Sequence, residues 1–311
     1  MFSNASDLVP KPPPYVVVFG PHANCTLDIC PVELSVYGYR PSLAANTTFI
    51  ALYGLSAVIH TYLGIRWKQW WFMGCMLLAA ASAIIGYIGR VMMYYNPFNF
   101  SAFMLQIICV TTVPVYYCAA LYVTLALAVN HFSPALSRFN PRLFYSLFIP
   151  CDLVSLALQA AGGGLSTSSS GSSQVGVDLA LVGLGLQVFT MLLFCGLFAD
   201  YLIRYARSRG PVAAAAPAAA VSATRLKIFF GFLAAAILLT LARCSYRLAE
   251  LHDGYQGDLI HDEGLFIGFE GVLVIVSVYC LMVGHPGWVF KPAQTKGDGQ
   301  PESHNLLPLR S

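Results

Sequence analysis

Residues 70–92 read WWFMGCMLLAAASAIIGYIGRVM, and this stretch decides the class of fold. Arg90 is its only charged residue, and nearly all the others are apolar. A helix of about 20 apolar residues is long enough to cross the hydrocarbon core of a bilayer, which is roughly 30 Å thick. The stretch therefore predicts a transmembrane helix.

Six other apolar stretches of comparable length lie on either side of it. We predict seven membrane-spanning helices, at 44–65, 70–92, 102–129, 143–164, 178–203, 226–247 and 264–284. The composition agrees, because 57% of the residues are hydrophobic and only 10% are charged. Soluble domains carry about 25% charged residues, so an ordinary cytosolic enzyme and a nucleic-acid-binding protein are excluded. The expected fold is an all-α integral membrane bundle.

Basic residues predict the orientation of this bundle, since cytoplasmic loops carry an excess of Lys and Arg. With the N-terminus outside the cell, most of the 17 basic residues fall in the cytosolic loops and tail. These are Arg66, Lys68, Arg138, Arg142, Arg204, Arg207, Arg209, Arg225, Lys227, Lys291, Lys296 and Arg310. We therefore expect an extracellular segment at 1–43, a transmembrane domain at 44–284 and a disordered cytosolic tail at 285–311.

The N-terminal segment carries motifs typical of an extracellular position. Asn4 and Asn24 each begin an acceptor motif for N-glycosylation, Asn-Ala-Ser and Asn-Cys-Thr. Cys25 and Cys30 are the only two of the nine cysteines that lie outside apolar stretches. Because disulfides persist in oxidising compartments, we predict that these two cysteines are paired.

Polar residues inside the predicted spans are the candidate functional residues, because an ionisable group near the bilayer centre costs at least about 2.5–3.5 kcal/mol. In the fourth span Asp152, Ser155 and Gln159 follow the spacing i, i+3, i+7 and share one helix face. Asp152 lies close to mid-membrane, so we expect it to line a polar cavity between helices. Gln187 adds a buried amide in the fifth span.

A second polar group is predicted where the sixth and seventh spans meet. Arg243, Arg247 and Glu250 share one face of the sixth span, and Glu270 lies one to two turns inside the seventh. Alternating spans bring these residues to the outer half of the membrane together with Arg90. Two interpretations stay open, a structural ion-pair network and a substrate-binding site. The candidate substrate-binding residues are Tyr87, Arg90, Asp152, Gln159, Gln187, Arg243, Arg247, Glu250 and Glu270.

Several motifs of other protein classes are absent from the sequence. No predicted span carries a lysine in its middle, which excludes a retinal Schiff base. The chain has no GxxxxGK[ST] phosphate-binding loop, no HExxH zinc motif and no GxSxG nucleophile motif. We therefore expect no enzymatic activity, no cofactor and no metal site.

The polar and glycine-containing segments together resemble a known family. From Tyr39 to Pro286, about four fifths of the chain, their order and spacing are similar to the fungal RTA-like (resistance to aminocholesterol) proteins, also called lipid-translocating exporters. The matching segments are Tyr39-Arg40-Pro41 with Asn46, Gly86–Arg90, Ala119–Tyr122, Asp152–Ser155 with Gln159 and Gly162–Gly164, Gly183-Leu184 with Gln187, and Arg243, Arg247 and Glu250 with Gly254, Gly257 and Glu263. No single segment is specific, but their combination is.

This resemblance implies a multi-pass protein of the fungal plasma membrane that exports or translocates lipids such as sphingoid long-chain bases. Its implied partners are membrane lipids or amphiphilic small molecules, and its implied effect is resistance to toxic amphiphiles. Two positions depart from the family pattern. Ala83 replaces a common Glu of the second span, and Glu270 replaces a common Asp of the seventh. The first change removes a carboxylate from the expected site.

Two functions of different classes fit these residues. The first is an exporter of amphiphilic lipids, in which Asp152 and Glu270 bind a cation or carry a proton. The second is a receptor or sensor for an extracellular lipid-like ligand, because seven helices with an outer N-terminus are also the receptor topology. Export of a fluorescent sphingoid base from loaded cells distinguishes the two.

Overall fold

The computed structural model describes residues 15–132, 143–168, 174–207, 223–252 and 257–290, and these ranges contain no strand. Seven helices within them are long and apolar enough to cross a membrane: α1 (Leu43–Trp67), α2 (Trp70–Tyr95), α3 (Phe100–Asn130), α4 (Leu143–Ser166), α5 (Gln174–Arg207), α6 (Thr224–His252) and α7 (Glu263–Val289). The predicted all-α bundle of seven spans is confirmed. Most of the helices run a few residues beyond the predicted limits.

Two of these spans contain more than one helical segment. The fourth consists of a short turn of helix at Leu143–Ser146 and a longer helix at Phe148–Ser168. The seventh begins as α-helix, continues as a π-helix at Phe266–Val272, and returns to α-helix at Leu273–Val283. π-Helical turns occur often at functional sites, and this one contains Glu270.

The helices pack in chain order, and α7 also contacts α1, so the bundle closes on itself. α3 lies at the centre, where it contacts α2, α4 and α6. α4 and α5 approach each other closely through glycines, as small residues allow in membrane bundles. A Cβ atom at Gly162 would lie 2.5 Å from the backbone nitrogen of Ala180, and one at Gly183 would lie 2.7 Å from the carbonyl oxygen of Ser155.

Residues 15–42 cover one end of the bundle, which we call the N-terminal end. Cys25 and Cys30 form a disulfide there. The ring of Phe19 packs edge-on against Phe103, with centroids 5.5 Å apart. The guanidinium of Arg40 lies 3.8 Å from the centroid of the Tyr94 ring. The segment is therefore folded onto the helices.

Two polar residues of this segment have defined surroundings. Tyr37 donates a hydrogen bond of 2.6 Å to Oε1 of Gln106 in α3. Burial raises the pKa of Tyr37, so its phenol stays a neutral donor. The candidate glycosylation site Asn24 is exposed, and its Oδ1 accepts a hydrogen bond from the backbone nitrogen of Val17. Asn4, the other candidate, lies outside the described residues.

A short helix, Gly287–Phe290, packs on α1 and α6 at the opposite end, which we call the C-terminal end. The rings of Trp67 and Trp288 lie there with centroids 5.9 Å apart. His285 is buried and Gly287–Phe290 is helical, so packed structure continues for a few residues past the predicted start of the tail at 285. Residues 291–311 lie outside the described ranges.

Candidate functional site

Glu270 is the centre of a buried ion-pair cluster between α6 and α7. Its Oε2 accepts a hydrogen bond of 2.8 Å from Nε of Arg243, and both side chains are 1% exposed. Nε of Arg247 lies 3.2 Å from Oε1 of the same carboxylate. Arg247 also donates a hydrogen bond of 2.6 Å from Nη1 to Glu250. Glu270 thus interacts with both Arg243 and Arg247, and Arg247 has a second carboxylate partner in Glu250.

The π-helical turn of α7 sets the position of Glu270. Tyr87 of α2 donates a hydrogen bond of 3.1 Å to the carbonyl oxygen of Glu270. The Tyr87 ring stacks between Phe49 and Tyr53, with centroid separations of 5.1 and 5.8 Å. Gly271 follows, and any side chain there would collide with the Phe49 ring. Tyr87 therefore positions the backbone of the cluster.

Arg90 lies at the N-terminal end of the same region and is fully buried. Its guanidinium carbon is 3.7 Å from the centroid of the Phe266 ring. Nε donates to Oδ1 of Asn46 at 3.2 Å, and Nη2 donates to the hydroxyl of Tyr39 at 3.2 Å. Glu263 is its carboxylate partner, with Nη2 and Oε1 3.8 Å apart. Arg90 thus ties α2 to the folded N-terminal segment.

A small cavity of about 10 Å³ adjoins the cluster and is lined by Ala83, Tyr87, Arg243 and Glu270, among others. Nη1 of Arg243 is buried and has no hydrogen-bond partner among the described residues. A cavity of this size holds about one water molecule. Ala83 and an arginine with an unpaired donor therefore line the same small cavity.

Asp152 lies on α4 and is 1% exposed. The hydroxyl of Tyr122 donates to Oδ2 at 2.8 Å, and Thr190 donates to Oδ1 at 3.1 Å. Within the described ranges no cation forms an ion pair with Asp152. Tyr122 of α3 and Thr190 of α5 are therefore the hydrogen-bond partners of its carboxylate, and the cavity expected at Asp152 stays a prediction.

A track of polar side chains leads from Asp152 to Gln159, about two turns further along α4. Gln159 donates from Nε2 to Oγ of Ser155 at 2.9 Å and to Oε1 of Gln187 at 3.1 Å. The Thr190 hydroxyl, one turn after Gln187, also lies 2.9 Å from the Gln187 carbonyl oxygen, so its single proton is shared between this acceptor and Asp152. Nε2 of Gln187 is buried without a hydrogen-bond partner in the described part of the chain. The polar track therefore contains one unpaired hydrogen-bond donor, Nε2 of Gln187.

The track ends at a cavity of about 290 Å³ between α3, α4, α5 and α6, which we call the lateral cavity. Gln159 and Arg247 are its polar lining residues besides two threonines of α3. The remainder of its wall is apolar or glycine: Met104, Ile107, Ile108, Leu156, Ala160, Gly163, Gly164, Ala180, Leu184 and Leu251. Its volume is at the lower end of the roughly 300–1,000 Å³ of small-molecule sites.

The structure thus brings the predicted site residues into two connected groups. Arg243, Arg247, Glu250 and Glu270 form the ion-pair cluster, and Asp152, Gln159 and Gln187 form the polar track. Tyr87 and Arg90 support the cluster from α2. Arg247 belongs to the cluster and lines the lateral cavity, so it joins both groups.

Sequence reasoning missed Tyr122 and Thr190 as partners of Asp152. Thr190 follows Gln187 by three residues and shares its helix face, so periodicity was a usable signal. Tyr122 lies in the family-like segment Ala119–Tyr122, but its contact with Asp152 depends on how α3 is rotated against α4, which periodicity does not give.

The family match covers residues 76–293, which fit the model of the RTA1 like protein family. That range is more than half of the chain and includes both groups of residues. The chain belongs to the RTA1-like family. The predicted family resemblance is confirmed.

Curated RTA1-like relatives come from several fungi. The sphingoid long-chain base transporter RSB1 of Saccharomyces cerevisiae (strain Lalvin EC1118 / Prise de mousse) is 31% identical, over 84% of this chain and 76% of its own. The lipid-translocating exporter-like protein RTA1 of Leptosphaeria maculans is 24% identical, over 84% of this chain and 53% of its own. The probable lipid transporter atnI of Emericella nidulans is 24% identical, over 82% of this chain and 68% of its own. No solved structure matches this chain.

Proposed function

We propose that this RTA1-like protein translocates amphiphilic lipids that carry an amine, sphingoid long-chain bases among them. Three curated relatives carry transporter or exporter names, and one of those names specifies sphingoid long-chain bases. The receptor alternative has less support, because none of these names describes a receptor. The same names fit a protein that is not an enzyme.

The observation that carries the proposal is the charge balance of the buried groups. Each of the three buried arginine and glutamate partnerships is internally matched: Arg90 with Glu263, Arg243 with Glu270, and Arg247 with Glu250. Asp152 is the buried carboxylate left without a cation among the described residues. A buried charge is stable when it is paired. The ammonium group of a lipid is the cationic partner that Asp152 needs.

The contacts around Asp152 leave its carboxylate able to accept further hydrogen bonds. An ionised carboxylate accepts about four hydrogen bonds, and Tyr122 and Thr190 donate one each. An ammonium group carries three donors. The free Nε2 of Gln187 adds a donor that a lipid hydroxyl accepts. The track therefore matches a headgroup that combines an amine with hydroxyls.

The lateral cavity is the proposed binding site for the alkyl chain of the lipid. Its walls are mostly apolar and belong to four helices, so an alkyl chain packs there without losing hydrogen bonds. Gln159 lies where the cavity meets the track. We infer that the lipid enters sideways from the bilayer and that its headgroup moves along Gln159 and Gln187 towards Asp152.

We further propose that the protein lies in the plasma membrane with the N-terminus outside and the C-terminus in the cytosol. The basic residues described at the C-terminal end support this orientation, because cytoplasmic loops are enriched in Lys and Arg. The disulfide between Cys25 and Cys30 supports it too, since it suits an oxidising compartment.

Purified protein in liposomes tests the proposal. A fluorescent sphingoid base is added to the outer leaflet, and its appearance in the inner leaflet is followed by a membrane-impermeant quencher. We expect faster transfer than in protein-free liposomes, measured with and without a pH gradient. Equal transfer rates in protein-containing and protein-free liposomes would overturn the proposal. The N-acetylated analogue, which has no charge, is the matched lipid control.

A further inference from the structure

A larger cavity lies at the C-terminal end of the bundle, far from the lateral cavity along the helices. It has a volume of about 490 Å³ and lies between α1, α6 and the end of α7. Ile59 and Leu63 line it from α1, Phe229 from α6, and Trp288 and Val289 from α7. Phe229 and Val289 are buried and form its floor, whereas Trp288 is half exposed at its rim.

Two polar residues line this cavity, Arg225 and the buried His285. Arg225, in the first turn of α6, is the lining residue with a permanent charge. The N-terminus of a helix also carries the positive end of its dipole, which favours an anion. No carboxylate lines the cavity among the described residues. The cavity therefore combines an apolar wall with a positive mouth.

The surrounding end of the bundle has the same sign of charge. Its described basic residues are Arg66, Lys68, Arg204, Arg207, Arg225 and Lys227, and Asp200 is the described carboxylate of that end. Asp200 already pairs with Arg204 at 2.9 Å. A cationic lipid amine is repelled here, so this cavity is not a second site for the proposed substrate.

We propose that the cavity binds an anionic glycerophospholipid, with an acyl chain against Phe229 and Val289 and the phosphate beside Arg225. The identity of the leaflet rests on the proposed orientation, in which this end faces the cytosol. The cytoplasmic leaflet is rich in anionic lipids, so the occupant is available there. The bound lipid contacts α1, α6 and α7 and holds them together at this end.

Trp288 at the rim provides a direct probe. A variant with Trp67→Phe, Trp70→Phe and Trp71→Phe keeps Trp288 as its one tryptophan. It is reconstituted in phosphatidylcholine vesicles that contain either brominated phosphatidylserine or brominated phosphatidylcholine at equal mole fraction. We expect the anionic lipid to quench Trp288 at least about twofold more strongly. Arg225→Gln should remove this excess, whereas Lys227→Gln, which changes a basic residue outside the cavity lining, should keep it.

Equal quenching by the two lipids would overturn the proposal, because the cavity would then contact bulk lipid without selection. Equal losses in Arg225→Gln and Lys227→Gln would also overturn it, since the preference would come from general surface charge. Native mass spectrometry of wild type and Arg225→Gln, which keep all tryptophans, provides a second readout. Fewer retained anionic lipids in Arg225→Gln supports the site, and equal numbers contradict it. Both readouts are independent of sphingoid-base transfer, so the two proposals fail separately.

Discussion

The hydroxyl of Tyr122 donates a hydrogen bond of 2.8 Å to Oδ2 of Asp152, so helix α3 reaches directly into the polar track. α3 is the central helix of the bundle. Movement of the Asp152 side chain towards a ligand therefore acts on a helix that contacts α2, α4 and α6. This contact makes Asp152 a group through which ligand binding can change helix packing.

Asp152→Asn should lower transfer of a sphingoid base by about tenfold or more, because a hydrogen bond to a charged group contributes roughly 1.5–3 kcal/mol. The amide keeps the shape of the side chain and loses its charge. Tyr122→Phe keeps the charge and should have a smaller effect. Initial rates in liposomes measure both variants. Wild-type rates for a normally folded Asp152→Asn protein would leave Asp152 as a contact between helices.

Gly163→Phe should block the lateral cavity. Gly163 lines that cavity, and a Cβ atom there meets nothing within 4 Å, so the ring enters open space. Gly185→Phe is the matched control, because a Cβ atom at Gly185 also meets nothing within 4 Å and Gly185 does not line the cavity. We expect lipid transfer to fall in the first variant only. Equal transfer by both variants would contradict lateral access.

Much of this architecture follows from periodicity. The spacing of Asp152, Ser155 and Gln159 places them on one helix face, and the structure buries all three. The alternation of spans likewise predicts that Arg243 and Glu270 share the outer half of the bundle, and in the structure the two form an ion pair. Both conclusions need only helix geometry and chain direction, which the sequence contains.

Other features depend on how the helices are rotated and spaced, and periodicity does not contain that information. The hydrogen bonds from Tyr122 and Thr190 to Asp152 depend on these rotations, and so does the lateral cavity about two turns further along α4, at Gln159. The π-helical turn at Phe266–Val272 shifts the register of Glu270, and no local residue pattern marks it.

Glycosylation tests the proposed orientation. Asn24 is exposed at the N-terminal end, so it is accessible to the modifying enzyme if that end faces the lumen during synthesis. Glycosidase should increase the mobility of the wild type, and Asn24→Gln together with Asn4→Gln should abolish the change. A protease-protected tag at the C-terminus provides the complementary result. A tag digested from outside intact cells would refute the orientation.

Glu270→Gln should strongly destabilise the protein, because it leaves Arg243 and Arg247 buried without their shared carboxylate. Loss of one partner of a buried ion pair costs about 3–5 kcal/mol. Asp200→Asn breaks the more exposed pair with Arg204 and should cost no more than about 1 kcal/mol, as surface pairs do. Unfolding by detergent titration measures the difference. It also decides between the two interpretations of the cluster, since a stable Glu270→Gln protein that fails to transfer lipid would make Glu270 part of the substrate site.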